Sequence, residues 1–370
     1  MKQKTEQKNK LKIPKIAYVF FGITFVSIII YVIAIFNTAF ADFFNRYISS
    51  IPRGILALIT NIIPISFSEL LIIFSPVILF FIIRIAIKKY GGSWRNVGVF
   101  CVLVLSIISL IFSGFIWIFG TGYYNYELDK KLDLEKKDVS AEELSETALW
   151  LIDEVNSLLN SVAFQDKGAS FNPHSIRETN NILLDSYKKL SEEYDFLPKL
   201  TSYVKPIMLS KPMTYTHISG VYTFFTGEAN VNTNQPAYSM PYTIAHELAH
   251  QRGIAREDEA NFIAFLVCVN TDDPYIKYCG YMNLCEYVLN ALYSADAKLW
   301  KETYIKLDNR AIYEMIEYNK FYEKYQDNVV GEISGAINDA YLQANGTEGS
   351  KSYGLVVDLA VAYYHKNIEN

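Results

Sequence analysis

The chain has 370 residues and a formal net charge of −5, and 51% of its residues are hydrophobic. This charge balance argues against a basic surface for nucleic acid, so no nucleic-acid partner is expected. The hydrophobic excess lies mostly before residue 120, which is typical of a membrane anchor joined to a separate domain.

Three apolar segments are long enough to cross a bilayer, and they follow a basic tail at residues 1–15. The predicted spans are residues 16–36, 65–87 and 97–119, within a transmembrane region covering 16–120. The first run is longer than the apolar core of a signal peptide, so a retained anchor is the preferred interpretation. A shorter apolar stretch at 51–63 is expected to lie in the interface or to pack on the bundle.

The distribution of Lys and Arg predicts the orientation of these spans. The tail holds six lysines, and the loop between the second and third spans holds Arg84, Lys88, Lys89 and Arg95. The loop between the first two spans holds only Arg46 and Arg53. Because basic loops stay in the cytoplasm, the N-terminus is predicted to be cytoplasmic and residues 121–370 to form an extracytoplasmic domain. This prediction depends on an odd number of spans.

Helical patterns dominate the part of the chain after residue 120. Ser140 and Glu143 form a capping box that predicts a helix, and a second helix is expected at 175–193. Residues 219–227 are rich in β-branched and aromatic side chains and predict a strand, whereas 228–236 is Asn-rich and predicts a turn. Further helices are expected at 241–253 and 256–269, and mainly helical structure after them. The expected fold is therefore a membrane anchor followed by a mainly α, α+β domain with a small sheet.

Two of the five histidines, His246 and His250, stand four residues apart with Glu247 beside the first. Residues at this spacing share one helical face, so both imidazoles can reach a single metal ion. Glu247 projects to the side of that face, where it can act as general base toward a zinc-activated water. Two ordinary polar histidines are the alternative, but histidine is rarely placed twice on an apolar helix without a partner. The pattern predicts one zinc ion per chain.

A catalytic zinc site needs a third protein ligand, and the segment after His250 offers three carboxylates. Gly253 can end the helix in the left-handed conformation, and the chain restarts with Glu257, Asp258 and Glu259. Glu257 is the preferred third ligand, with Glu259 or Asp258 as alternatives. Asn261 lies four residues after Glu257, where it could orient a histidine as a second-shell partner.

With these residues the chain resembles the zincin metallopeptidases, in particular the gluzincin branch, in which HExxH is followed by Glu in an E-x-x-small-Asp context. Glu257-Asp258-Glu259-Ala260-Asn261 resembles that second motif, with Asn261 in place of the Asp. The chain also resembles an uncharacterised bacterial family of multi-pass membrane proteins, defined by a domain of unknown function. The interval from His250 to Glu257 is shorter than gluzincins show, and Arg256, where a metzincin would place its third ligand, cannot bind a cation.

The resemblance also implies how a substrate binds. A zincin scaffold presents an edge strand, here 221–225, to an extended peptide, and Phe225, Asn230 and Asn232 are candidate substrate-binding residues. Tyr353 is the candidate donor to the oxyanion of the transition state. His174 and His217 are interpreted as structural.

The predicted function is a membrane-anchored zinc metallopeptidase that acts on a peptide or protein at the outer face of the membrane, with the lipid bilayer as its second partner. One alternative is a non-peptidase zinc amide hydrolase of the cell envelope. Another is a catalytically retired zincin-fold binding or scaffold protein, against which the retained Glu247 argues. Whether Cys268, Cys279 and Cys285 form a disulfide is left open.

Overall fold

The computed structural model describes residues 12–165 and 168–369, so most of the predicted basic tail lies outside the described residues. The helices of the first third are α1 (Lys15–Phe36), α2 (Thr38–Phe43), α3 (Ser50–Asn61), α4 (Phe67–Tyr90) and α5 (Trp94–Ile118), with a π-helical segment at Phe44–Ser49.

Three of these helices, α1, α4 and α5, are long and apolar enough to cross a membrane. They match the predicted spans to within a few residues. Helices α1 and α5 pack along each other, with Ser113 donating to Thr24 at 3.1 Å and Trp117 donating to Ser27 at 3.0 Å. None of the most apolar stretch of α4 is buried, so α4 presents most of its surface to the surroundings.

The remaining chain is mostly helical and contains a three-stranded sheet. Its elements are α6 (Leu128–Lys131), α7 (Ala141–Leu158), α8 (Ile176–Glu193), β1 (Lys205–Pro206), α9 (Ser210–Thr214), β2 (Gly220–Thr223), β3 (Glu228–Val231), α10 (Ser239–Gln251), α11 (Glu257–Val269), α12 (Pro274–Ala295), α13 (Ala297–Tyr304), α14 (Asn309–Glu323), α15 (Val329–Ala344) and α16 (Val356–Asn367). Short 3₁₀ segments occur at Gly120–Tyr124, Leu159–Ser161 and Gly349–Leu355.

The predicted helix starts are confirmed by their caps. Ser140 and Ser175 each accept a hydrogen bond from the backbone three residues on, and the glutamate at that position bonds back to the cap, which completes two capping boxes. Their helices bury one face each in a common core that also contains α10, α11 and α12. Helix α11 is buried almost all round, from Glu257 to Cys268.

The sheet corrects the prediction of a turn at 228–236. Residues 228–231 form β3, the central strand, which runs parallel to β1 and antiparallel to β2. Ala229 and Val231 are completely buried. Glu228 and Asn230 are buried as well, and Glu228 accepts from the backbone amide of Phe67 while the Asn230 amide donates to the carbonyl of Val221. The polar composition that indicated a turn therefore serves an internal strand. The strand predicted at 219–227 is shorter and ends at Thr223.

The anchor and the rest of the chain meet at one end of the apolar helices. The stretch predicted to lie in the interface or on the bundle forms α3, whose Arg53 is only 1% exposed. Its guanidinium donates to the carbonyl of Ile118, at the end of α5, and to the carbonyl of Arg252, directly after α10. Glu228 of β3 accepts from the backbone amides of Phe67 and Ser68, at the start of α4. The sheet is thus bonded directly to the start of α4, and Arg53 bridges the residue after α10 and the end of α5.

Candidate metal centre

Helix α10 places the histidine pair on one face, where His250 is buried and the His246 side chain is 12% exposed. His246 and His250 lie one turn apart, and their ring centroids are 4.5 Å apart with the rings perpendicular. The helix packs on α11, β3 and β2, and twelve of its thirteen residues are buried. A helix enclosed in this way can hold imidazoles away from bulk water only if they have polar partners.

The partner is Glu257, at the first position of α11. Gly253 follows α10 with a φ of +92°, a conformation that favours glycine, and it turns the chain so that α11 starts beside the histidines. Glu257 Oε2 lies 3.1 Å from Nε2 of His246 and 3.3 Å from Nε2 of His250. One ligand atom from each of the three side chains lies within 4.8 Å of the other two.

The two neighbouring carboxylates point elsewhere. Glu259 accepts a hydrogen bond from the backbone amide of Leu128 at 2.9 Å. Asp258 faces Arg256, with 3.7 Å between its Oδ1 and the guanidinium Nε. Of the three acidic residues that the sequence offered, Glu257 is the one that meets the histidines.

Both imidazoles turn Nε2 toward Glu257, and Nδ1 of His246 has no hydrogen-bond partner among the described residues. His250 Nδ1 lies 2.7 Å from the carbonyl oxygen of Ile254, an acceptor, so this nitrogen carries a proton, and in the neutral imidazole Nε2 is the nitrogen available to a metal ion. Burial and the charge of the neighbouring His250 lower the pKa of His246 below its usual value, while Glu257 and Asn261 act in the opposite direction. The Asn261 amide donates to the Tyr287 hydroxyl at 3.4 Å and to the Tyr353 carbonyl at 3.5 Å, so its role in orienting a histidine stays a prediction.

Without a metal, the cluster is an ion pair. Burial opposes charge on both partners, but Glu257 raises the pKa of His250 to about 9. Burial likewise acts to raise the pKa of Glu257, yet the His250 charge and the hydrogen bonds from both histidines hold it well below its ordinary value. Two imidazoles and one carboxylate that converge on a point are the donor set of many catalytic zinc sites, so the residues fit a zinc ion.

Glu247 lies beside this cluster, under strand β2. A Cβ at Gly220 would lie 2.5 Å from Glu247 Oε1, so only glycine lets the strand pass this close. The Glu247 side chain is buried, which raises its pKa to about 8. Its Oε2 has no hydrogen-bond partner among the described residues.

A cavity of about 430 Å³ opens in front of the cluster. Its walls come from β2, α10 and α15, and Phe119 and Tyr123, just after α5, also line it. Tyr353 lines it as well, and its hydroxyl lies 3.5 Å from Nδ2 of Asn338. Tyr123, Tyr287 and Tyr341 share this wall, so position does not single out Tyr353 as the oxyanion donor.

The other predicted substrate residues do not line the cavity. Asn230 and Asn232 are buried, and their amides donate to the carbonyls of Val221 and Ile218, which fixes the sheet. Phe225 lies in the turn between β2 and β3 and is 49% exposed. These three residues are therefore not placed to contact a substrate in the cavity.

Sequence reasoning missed two parts of the site. His217, interpreted as structural, lines the cavity at its outer wall, with Nε2 2.7 Å from the carbonyl of Tyr325. Helix α15 forms a wall through Gly331, Ser334 and Asn338. These small polar residues lie about ninety positions after the histidines, and no local pattern connects them to the motif.

A family model described as a protein of unknown function, DUF3810, matches residues 40–361. The chain therefore belongs to this family. No curated protein and no solved structure matches the chain.

Proposed function

We propose that this protein is a membrane-anchored zinc metallopeptidase of the zincin type, with its catalytic part on the extracytoplasmic side. The observation that carries the proposal is the convergence of His246, His250 and Glu257, from two helices, on one buried point with a fourth residue, Glu247, beside it. His246, His250 and Glu257 would hold the ion. When bound, zinc supplies a Lewis acid that polarises a carbonyl and lowers the pKa of a water molecule.

The protein side chains supply the proton transfers. Glu247 lies next to the ligand cluster and has a free, buried carboxylate oxygen, so it can accept a proton from the attacking water. The same carboxyl can then donate that proton to the leaving amine. Its raised pKa of about 8 suits a group that must gain and lose a proton near neutral pH.

The exposed edge of β2 supports a peptide as substrate. The sheet order is β1-β3-β2, so β2 has one unpaired edge among the described strands, and Gly220 to Tyr222 line the cavity. An extended peptide could pair with such an edge and lay its carbonyl beside the metal. An amide hydrolase acting on the cell envelope remains the second candidate, because the same four residues would serve it. A retired scaffold is the third, and the position of Glu247 disfavours it.

Metal analysis of the full chain, purified in detergent, tests the centre. We expect one zinc per wild-type chain and a loss of zinc in His250→Ala and Glu257→Ala. Glu259→Ala is the matched control, because this carboxylate bonds to Leu128 instead of the histidines. Full zinc retention in His250→Ala would refute the site.

Hydrolysis of a peptide library, read by mass spectrometry, tests the reaction. Glu247→Gln should retain zinc while its turnover falls by roughly 10²- to 10⁴-fold, the usual contribution of a general base. Wild-type turnover in this variant would exclude Glu247 as the base. Cleavage of cell-wall amides without any cleavage of peptides would favour the second candidate.

A further inference from the structure

Helix α15 has two different faces beside the candidate metal centre. One face carries Ser334 and Asn338, which line the cavity. Another exposes Val330, Ile333 and Ile337, which are 55%, 55% and 66% accessible. Ile333 and Ile337 are four residues apart and share a helical face. An exposed apolar stripe of this kind on a short peripheral helix indicates a contact surface.

The C-terminal end of α15 packs against the last turns of α1 and α5. The ring of Tyr341 is 6.1 Å from that of Phe115 in α5, and Asn345 Oδ1 accepts from the Tyr31 hydroxyl of α1 at 3.4 Å. Tyr31 stands five residues before the end of α1, which is about 7 Å at 1.5 Å per residue.

The length of α1 indicates how deep in the bilayer this contact lies. Its 22 residues span about 33 Å, against about 30 Å for the hydrocarbon core of a bilayer. With α1 centred on the core, a residue about 7 Å inside the helix end therefore lies about 6 Å inside the edge of the hydrocarbon core. Side chains that contact Tyr31 from outside the bundle share that depth.

The turn between β2 and β3 reaches a similar level on α5. The Phe224 ring lies 5.5 Å from that of Phe115, and its Cε2 is 3.9 Å from a Cβ built at Gly114. The adjacent Phe225 is half exposed. The cavity is thus flanked by α15 and by the turn between β2 and β3, and both of these contact the last turns of α5.

We propose that the apolar face of α15, with Phe225, contacts the lipid bilayer, so that the cavity opens at the membrane surface. The occupant is lipid because the C-terminal end of the same helix contacts α1 and α5 through Asn345 and Tyr341, and both of those helices are long and apolar enough to cross a membrane. The distance agrees, since the Phe119 ring, one residue beyond α5, lies 6.0 Å from that of His250.

This position implies a substrate class, a step that rests on the proposed peptidase function. A scissile bond would have to reach a centre within a few ångströms of the span ends. Polypeptides that are themselves held in the membrane, and whose scissile bond lies close to their own anchor, can present a segment there. A free peptide in solution would have to enter the same cleft from the water phase.

Spin-label accessibility of the full chain in phosphatidylcholine–phosphatidylglycerol vesicles tests the lipid contact without any need for activity. Single labels are placed at Ile333→Cys and Ile337→Cys in a Cys101→Ser background, because the other cysteines are buried. Ile111→Cys in α5 is the lipid reference, Lys301→Cys in α13 the aqueous one, and Glu332→Cys the control on another face of α15.

Labels at Ile333 and Ile337 should collide frequently with oxygen. They should collide much less often with a water-soluble nickel chelate than the label at Lys301 does, as is expected for the lipid reference at Ile111. The label at Glu332 should collide with the chelate more often than they do. Chelate collisions at Ile337 equal to those at Lys301 would overturn the proposal. So would exclusion of both reagents together with spin–spin coupling between copies, because a second copy would then cover the face.

The substrate class has its own readout. A cleaved peptide joined by a short linker to a lipid should be hydrolysed about tenfold faster or more than the free peptide, because tethering raises its local concentration. Ile337→Glu should lower only the tethered rate. Equal rates for both forms would refute the substrate class. If neither form is cleaved, the peptidase function fails, whereas the label experiment still decides the lipid contact.

Discussion

Two buried glutamates, 19 positions apart, serve the molecule in opposite ways. Glu228, at the junction with the anchor, accepts from two backbone amides of α4 and pairs with the buried Lys205. Glu247, beside the candidate metal centre, has an oxygen without a hydrogen-bond partner among the described residues, and burial raises its pKa to about 8.

The difference in hydrogen bonding indicates a structural role for Glu228 and a chemical role for Glu247. A buried charge whose hydrogen bonds are all made stabilises one geometry, and its removal leaves other buried groups without partners. A buried carboxyl that lacks a partner costs stability and is retained only where it does something else.

The largest effect is expected at the junction. Glu228→Gln removes the charge that faces Lys205, whose ammonium also donates to the carbonyl of Thr60. Loss of one partner from a buried ion pair costs about 3–5 kcal/mol of unfolding free energy. Unfolding of the full chain in detergent micelles measures it. Combining the change with Lys205→Met should recover part of the loss, and no recovery would mean that the pair is not coupled.

Glu247→Gln should raise the free energy of unfolding of the metal-free protein, whereas Glu228→Gln lowers it. The folded pKa of about 8 lies above the ordinary value of 4.5, so the folded chain holds a proton that the unfolded chain releases between these values. Wild-type stability therefore falls as the pH rises through this window. The glutamine cannot ionise and should be more stable by about 1–3 kcal/mol at pH 9.

The two proteins should converge toward pH 5, where the wild-type carboxyl is protonated in the folded state. Unfolding measured at both pH values checks this expectation. A constant difference between pH 5 and pH 9 would show that the Glu247 carboxyl does not titrate in this range.

The sequence predicted the parts of the site that depend on local spacing. Hydropathy gave the three apolar helices, the i and i+4 histidines define their own face, and Gly253 marked the turn that brings Glu257 back. These features need only neighbouring residues. The same reasoning identified Glu257 among three adjacent carboxylates, although composition alone does not distinguish it from Glu259.

The parts that were missed depend on partners far along the chain. Residues 228–231 looked like a turn because Glu228 and Asn230 are polar, but their partners lie in α4 and β2. Arg53 looked like a loop charge, yet its guanidinium is buried among carbonyls 65 and 199 positions away. No local pattern reveals such partners, so the contacts between the apolar helices and the rest of the chain were not predicted.

That junction should influence metal binding. Arg53 donates to the carbonyl of Arg252, and Asn45 donates to that of Gly253. The next carbonyl, at Ile254, holds Nδ1 of His250. Arg53→Met should loosen this turn and weaken zinc binding by about 10- to 100-fold, the usual effect of losing an outer-shell partner.

Competition with a fluorescent chelator measures the change in zinc affinity. Arg46→Met is the matched control, because Arg46 pairs at the surface with Asp195, which is 84% exposed. Equal affinities in wild type and Arg53→Met would show that the anchor supports the fold without orienting His250.

The last effect is a pH dependence of zinc binding to the cluster. Glu257 holds the pKa of His250 at about 9, so below that pH a zinc ion must displace a proton to bind the neutral imidazole. Zinc affinity should fall by about tenfold for each pH unit below 9, one proton being displaced. Titrations at pH 6, 7 and 8 measure the slope. Glu257→Gln binds zinc more weakly but removes the charge that holds this proton, so its slope should be flatter. An equally steep slope in that variant would mean that another proton is displaced, and the ion pair between Glu257 and His250 would not be the state that zinc replaces.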